Sequence, residues 1–260
     1  MPSYLGQNFL TDISMQDHII QTAERLYADS DCDTIIEIGP GKWALTIQLQ
    51  HKAKHFFCVE KDPLMRKALL QQGIADDKII LQDVLERDFF ARAQQHDIDP
   101  SKVCIVWNLP YYITSPIIRK FFADGHPQVP CGVIMIQKEV GDKIKSDAGK
   151  KSYLRWLLNY AYHVDYTITV PPTSFDPAPK VHSCVLGITR KDRTRDVDFD
   201  TQVQALELFS PYSRKTLGKI CKMHDIDPTP LGDIAQKRLE ELGEKDWLML
   251  IGVVRQSAKQ

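Results

Sequence analysis

Thr34-Ile35-Ile36-Glu37-Ile38-Gly39-Pro40-Gly41-Lys42-Trp43-Ala44 is the stretch whose reading decides the fold. A short apolar run breaks at a glycine-rich turn, and helical periodicity over Trp43–Leu49 follows it. A strand that passes through glycines into a helix is the opening of a βαβ unit. Gly39 and Gly41 let the backbone come close to a ligand. The same spacing fits the G-x-G-x-x-A fingerprint of dinucleotide sites, so the glycines alone do not choose between cofactors.

Working outward, further short apolar runs lie at Phe56–Glu60, Ile79–Gln82, Val103–Asn108 and Val133–Gln137. Helical periodicity over Pro63–Gln72 and Pro116–Phe122 separates some of them. Strands alternating with helices predict an α/β fold, a parallel sheet with helices on both faces. Val164–Val170 and Ser183–Thr189 flank a proline-rich loop, residues 171–179, and read as a terminal antiparallel pair on that sheet. Lys191–Asp200 is charged and poorly periodic, which places a domain boundary there: residues 1–192 form the sheet domain and 193–260 a small all-α domain. In the latter, Gln202–Phe209, Ser213–His224, Pro230–Leu242 and Lys245–Arg255 have helical patterns, with Ser210-Pro211 suited to an N-cap and N1 proline.

Ligands of open α/β sheets bind beyond the carboxyl ends of the strands. Glu60 ends the second strand, 19 residues after Gly41, where a carboxylate accepts hydrogen bonds from ribose hydroxyls. Asp83 follows the third strand, within reach of an adenine amine. Asn108-Leu109-Pro110-Tyr111 ends the fourth. That motif suits chemistry on a planar amine whose lone pair is delocalised into its ring. The Asn108 carboxamide oxygen and a backbone carbonyl in the Leu109-Pro110 turn can hold the two amine hydrogens and so aim the lone pair. Pro110 fixes φ and biases Leu109 toward extended backbone. Tyr111 offers a stacking face for a base.

Net charge over the 260 residues is only -1, which excludes a uniformly basic nucleic-acid binder. The charge is unevenly placed. Residues 1–100 hold ten Lys/Arg against sixteen Asp/Glu, and residues 101–260 hold 23 against 18. The later part is therefore the part expected to touch a polyanion. Lys143, Lys145, Lys150 and Lys151 form either a solvated run or a phosphate contact. The six cysteines include no C-x-x-C pair and no zinc-like Cys/His spacing, so no metal site is predicted. Cys58 and Cys104 fall in apolar runs and read as core thiols of a reduced, cytoplasmic protein. Met135 and Met249 also read as core. No secretory signal or bilayer-spanning run is evident.

Taken together these motifs resemble the ribosomal RNA adenine dimethyltransferase family over nearly the whole chain. Gly6-Gln7-Asn8-Phe9-Leu10 is similar to its N-terminal motif, Glu37-Ile38-Gly39-Pro40-Gly41 to its glycine loop, and Asn108-Leu109-Pro110-Tyr111 to its catalytic motif. Gln137-Lys138-Glu139-Val140 resembles a further signature, and Val170-Pro171-Pro172 with Phe175 and Pro177–Val181 the loop that helps to enclose the target base. The resemblance implies a Rossmann-like S-adenosylmethionine-dependent methyltransferase sheet. It implies cofactor contacts from Asn8, Leu10, Gly39, Gly41, Glu60, Asp83 and Asn108, a target base between Tyr111 and Phe175, and RNA contacts from Arg214 and Lys215. It further implies dimethylation of small-subunit rRNA adenosines by direct displacement from the sulfonium, with a role in ribosome biogenesis. The expected partner is rRNA or the assembling small subunit, met by a monomer.

The chain departs from the family pattern at Trp43 and Trp107, where small residues are usual. It departs again at Phe209-Ser210-Pro211-Tyr212-Ser213-Arg214-Lys215-Thr216, which is one residue longer and one arginine poorer than the usual basic helix. Erythromycin-resistance methyltransferases, which act on large-subunit RNA, share the N-terminal and Asn-Leu-Pro-Tyr motifs and form the alternative. A non-catalytic RNA-binding assembly factor of the same fold, and a nicotinamide-dependent oxidoreductase resting on the glycines and Glu60 alone, are the readings from other classes.

Overall fold

The computed structural model describes residues 8–86, 89, 96–108, 113–123, 129–145, 153–191 and 199–258. Its centre is a seven-stranded sheet. The strands are β2 (Thr34–Ile38), β3 (His55–Glu60), β4 (Ile79–Leu81), β5 (Val103–Asn108), β6 (Cys131–Gln137), β7 (Tyr162–Val170) and β9 (Ser183–Arg190), ordered β4-β3-β2-β5-β6-β9-β7. Pairing is parallel from β4 through β6 and antiparallel for β6–β9 and β9–β7. The expected parallel sheet with a terminal antiparallel pair is what forms. A second, two-stranded antiparallel sheet joins β1 (Phe9–Leu10) to β8 (Phe175–Asp176).

Strand alternation divides the apolar residues into two layers. Ile36, Ile38, Val59, Ile105, Trp107, Ile134 and Ile136 face one layer, with α4 (Thr114–Phe122) and α6 (Tyr153–Asn159) packed there. Ile35, Phe56, Cys58, Cys104, Val106, Val133 and Met135 face the other, under α1 (Ile13–Asp29). Helix α1 has no counterpart among the helices expected from the sequence. Its signals are Asp12, whose carboxylate accepts from the Ser14 and Met15 N–H groups, and a buried stripe of Ile19, Ile20, Ala23 and Leu26. Helix α3 (Pro63–Gln71) is capped by Asp62 with Pro63 in its first turn. Helix α5 (Lys138–Lys145) starts directly after β6 and lies so close to β9 that a Cβ on Gly141 would stand 2.2 Å from Cys184 Sγ.

Several expectations need correction. The helix expected over Trp43–Leu49 is only α2 (Thr46–Leu49), because Trp43 has φ +54 and extends the glycine loop. The helix expected from Ser213 begins at Leu217: α8 is Leu217–Met223, and Arg214 and Lys215 occupy the turn before it. Ser210 and Pro211 form a 3-10 turn, Ser210–Tyr212, at the end of α7 (Phe199–Phe209) rather than capping a helix. Pro230–Leu242 is broken into 3-10 turns, Thr229–Gln236 and Leu239–Glu241; Pro228 and Pro230 come just before Gly232, which stands at φ +51. Helix α9 (Glu244–Ser257) closes the chain, and Met249 on it is 47% exposed, so it is no core residue. Met135, Cys58 and Cys104 are buried as expected, and all six cysteines are free. Trp107 fills the core against Phe122, with ring centroids 6.1 Å apart.

The expected boundary at 192–193 lies outside the described residues. On either side of it the apolar core is continuous: Trp156 on α6 stacks on Trp247 of α9, with centroids 4.9 Å apart. Among the described residues no helix is long and apolar enough to cross a membrane.

Candidate active site

Strand order reverses between β2 and β5, since the chain leaves β2 toward β3 and β4 on one side and returns to β5 on the other. The crevice at such a switch point is where an open α/β sheet takes its ligand. Here it forms a pocket lined by the glycine loop, the ends of β2, β3 and β5, the segment after β4, and β1 with β8 as a roof.

Alternation settles which side chains enter it. Glu37 on β2, Glu60 on β3 and Asn108 on β5 are on the same sheet face as Ile35, Cys58 and Val106. All three line the pocket. Glu60 is nearly buried, and its Oε1 accepts the N–H groups of Lys61 at 2.8 Å and Asp62 at 3.0 Å. Burial raises its carboxyl above the usual range, while those two N–H groups and that of Gly41 pull the other way. Gln82 donates its N–H to the Glu60 carbonyl at 2.9 Å and so fixes the turn that presents Asp83. The Asp83 carboxylate accepts from Leu85 N–H at 2.9 Å.

Gly39 and Gly41 take φ of +66 and +52, a region costly for residues with a Cβ. A Cβ at Gly41 would also press to 3.3 Å from the Phe9 ring. Lys42 Nζ lies 4.4 Å from the centre of that same ring. The loop and β1 are thus in direct contact across the pocket.

The roof depends on long-range pairing. Leu10 is opposite Phe175 in the β1–β8 register, Thr11 N–H donates to the Ser174 carbonyl at 2.8 Å, and the Ser174 hydroxyl donates to Asp12 Oδ2 at 2.8 Å. Phe175 is 6% exposed and packs with the Leu10 cluster while still lining the pocket.

The structure therefore brings together Asn8, Leu10, Gly39, Gly41, Glu60, Asp83, Asn108 and Phe175, every site residue expected for cofactor and loop. Leu109, Pro110 and Tyr111 lie outside the described residues. Arg214 and Lys215 are exposed and belong to a different surface, the turn before α8. Of the lysine run, Lys143 pairs with Glu139 at 2.6 Å and Lys145 donates to the Val164 carbonyl at 2.8 Å, as on an ordinary solvated face. Lys150 and Lys151 lie outside the described residues. Sequence reading passed over Glu37 as a site residue. Its signal was a carboxylate inside an otherwise apolar strand.

The pocket wall carries ionisable groups of both signs. Three carboxyls line it, Glu37, Glu60 and Asp83, against two lysines, Lys42 and Lys61. Glu37 Oε2 is buried without a hydrogen-bond partner, which leaves an acceptor for a ligand.

The family model described as ribosomal RNA adenine dimethylase matches residues 2–217. A Koribacter versatilis protein named ribosomal RNA small subunit methyltransferase A is 36% identical over 227 residues, 82% of this chain and 78% of that protein. A protein of the same name from onion yellows phytoplasma is 33% identical over 214 residues, 82% of this chain and 77% of that protein. Among solved structures, a dimethyladenosine transferase from Plasmodium falciparum superposes with TM-score 0.75 at 24% identity, covering 96% of this chain and 98% of that one. The 23S rRNA methyltransferase ErmE gives TM-score 0.67 at 21% identity, covering 95% and 100%. These two likenesses concern the fold.

Glu60→Ala is expected to weaken nucleoside-cofactor binding by about 1.5–3 kcal/mol, the range for hydrogen bonds to a charged group. Calorimetric titration with S-adenosylmethionine checks it, and an unchanged affinity would remove Glu60 from the site.

Proposed function

This chain belongs to the ribosomal RNA adenine dimethylase family, and from that premise we propose how its own residues carry out S-adenosylmethionine-dependent dimethylation of adenosine amines in small-subunit ribosomal RNA. The observation that carries the reading is the convergence on one pocket of Asn8, Leu10, Glu60, Asp83, Asn108 and Phe175 from distant parts of the chain. A nicotinamide site would use the glycines and Glu60, and it would leave Asn108 and the β1–β8 roof without a task.

Glu60, with Oε1 held by two backbone N–H groups, offers its other oxygen to a ribose hydroxyl. Asp83 and the buried Val84 beside it receive the adenine ring, and Gly39 and Gly41 let the backbone close on the amino-acid end. When bound, the cofactor would supply a methyl group on a cationic sulfur for direct transfer to the amine nitrogen, which would give up one proton to solvent. Asn108 holds an amine hydrogen through its carboxamide oxygen and turns the lone pair toward that methyl; the family motif assigns the second hydrogen to a main-chain carbonyl of Leu109 or Pro110 and a face of the base to Tyr111. Orientation and exclusion of water are the protein's contributions. Phe175, clamped in β8, covers the other face of the base. The adenine has to leave its stack to reach this pocket, which favours single-stranded or loop RNA. Arg214 and Lys215 hold phosphates on the C-terminal side.

Asn108→Ala is expected to abolish most methyl transfer while leaving the fold intact, because the residue is half-buried at a strand end. Labelled-methyl transfer to small-subunit RNA lacking the modification, with mapping of the modified adenosines, checks both the residue and the reaction. Near-normal turnover, or label placed only in large-subunit RNA, would contradict the reading.

Phe175→Ala is expected to lower turnover on RNA with little change in cofactor affinity, since a stacked base gains about 1–3 kcal/mol per aromatic. Melting temperature measured beside turnover separates this from a purely packing role: a large stability loss with normal turnover in the folded fraction assigns Phe175 to the core alone.

Neutralising Arg214 and Lys215 together is expected to flatten the dependence of log RNA affinity on log salt, by up to about one unit of slope for each phosphate no longer neutralised. An unaltered slope would make this pair part of an ordinary solvated face.

A further inference from the structure

The glycine loop carries strain at a residue that is not glycine. Gly39, Gly41 and Trp43 all take φ between +52 and +66. For Trp43, at φ +54, that conformation is costly. Two contacts hold it: the Trp43 N–H donates to the Pro40 carbonyl at 2.9 Å, and its side chain packs on the apolar layer under α1. Between Gly41 and Trp43 stands Lys42. It is exposed, lines the pocket, and brings Nζ to 4.4 Å from the centre of the Phe9 ring. Among the described residues no carboxylate pairs with it. A ring face is a weak partner for an ammonium beside what a carboxylate offers.

Strand order decides which part of a cofactor reaches Lys42. On the functional reading above, Asp83 after β4 takes the adenine and Glu60 on β3 the ribose. The sheet continues in the order β4-β3-β2-β5. What remains of S-adenosylmethionine, the sulfonium and its amino-acid end, therefore lies over β2 and β5, with the methyl toward Asn108. That end carries an α-ammonium and an α-carboxylate. Two lysines line the pocket, Lys42 and Lys61. Lys61 follows Glu60 at the end of β3, beside the ribose. Lys42 comes after β2, against Phe9. Among the described residues it is the one cationic side chain on the part of the wall that faces the amino-acid end.

We propose that Lys42 is the counter-charge for the cofactor's α-carboxylate and makes the pocket select a cofactor whose amino-acid end is intact. The inference rests on the functional reading above and adds to it a positioning and specificity-determining residue. In the free protein the ammonium rests on Phe9; with the cofactor present it donates to the carboxylate. Phe9 belongs to β1, so one lysine ties the glycine loop, the roof and the ligand together. The strain at Trp43 then has a use, since it shapes the loop that carries Lys42 along the pocket wall.

The test is titration calorimetry on the full chain and its Lys42→Met variant, which keeps an unbranched stem and loses the charge. The ligands are S-adenosylmethionine, S-adenosylhomocysteine and decarboxylated S-adenosylmethionine. The first two carry the carboxylate; the third lacks it and keeps both cationic groups. Lys42→Met is expected to bind the first two about five- to tenfold more weakly than the wild type, the effect of a charge-assisted hydrogen bond discounted for an exposed site. It is expected to bind the decarboxylated compound as the wild type does. Lys42→Arg is expected to recover most of the loss, and added salt to narrow the gap between wild type and Lys42→Met. Unchanged affinity for S-adenosylmethionine in Lys42→Met, or an equal loss for all three ligands, would overturn the proposal and leave the functional reading standing. Should Lys42→Met fold poorly, the wild type alone decides. Mass-spectrometric mapping after brief acetylation is expected to show Lys42 protected by S-adenosylmethionine and much less by the decarboxylated compound; equal protection by the two would overturn the proposal. Absence of any binding of S-adenosylmethionine by the wild type would overturn both.

Discussion

The Asp12 carboxylate is the interaction on which the site depends. One of its oxygens caps α1 through the N–H groups of Ser14 and Met15, and the other accepts the hydroxyl of Ser174, 162 residues away. Hydrogen bonds from Ser14 and then Ser174 hold it below the usual carboxylate range, so it stays charged and accepting. Around it the main chains of Thr11 and Asp12 donate to the Ser174 carbonyl, and β1 pairs with β8. Two segments with little secondary structure of their own are thereby fixed against each other and against the first helix. Asn8 and Leu10 come to one side of the pocket and Phe175 to the other. A strand pair of two residues has no stability alone; it stands because a helix cap and a long-range hydroxyl bond share one side chain.

Beneath this roof the sheet does the rest by parity. Because β2, β3 and β5 run parallel and in register, the residues facing one layer are fixed once any one of them is. Glu37, Glu60 and Asn108 fall on that layer at the carboxyl ends, while Ile38, Val59 and Trp107 turn to the other and fill the core. Polar groups meet in the crevice for the same geometric reason that apolar groups meet beneath it.

Much of this was legible in the sequence because it is local. Thr34–Ile38 and Val103–Asn108 are apolar runs whose ends carry glycines or a polar motif, and both strands appear with the expected bounds. Glu60 and Asp83 were legible as acids where strands stop. What escaped reading is what depends on distant partners. The strands β1 and β8 are too short for any period to show, and they exist only as a pair. Helix α1 did carry signals, a capping Asp12 and a stripe through Ile19, Ile20, Ala23 and Leu26, which a search beginning at the first strand passes over. Glu37 was passed over as a site residue because it lies inside a central strand, between β3 and β5, one residue short of its end. Helical periodicity in Pro230–Leu242 yielded to backbone chemistry, and Met249, apolar by type, sits on the outer face of α9.

The packing also bears on how a pocket on the sheet works together with a basic turn on the helical region. Asn108 follows Trp107, whose ring packs on Phe122, which meets Tyr162 edge-on at 5.1 Å. That core continues through Trp156 and Leu157 to Trp247, Phe209 and Leu217, the residues that hold α7, α8 and the turn bearing Arg214 and Lys215. Gln202 on α7 donates its side-chain N–H to the Trp156 carbonyl at 2.8 Å, a buried bond that pins the helix to α6. Close-packed interiors transmit position because they leave no space to give way. Asn108 and Arg214 therefore sit at a separation that the core sets. On the proposed reading, that fixed separation converts grip on the RNA backbone into placement of the adenine amine.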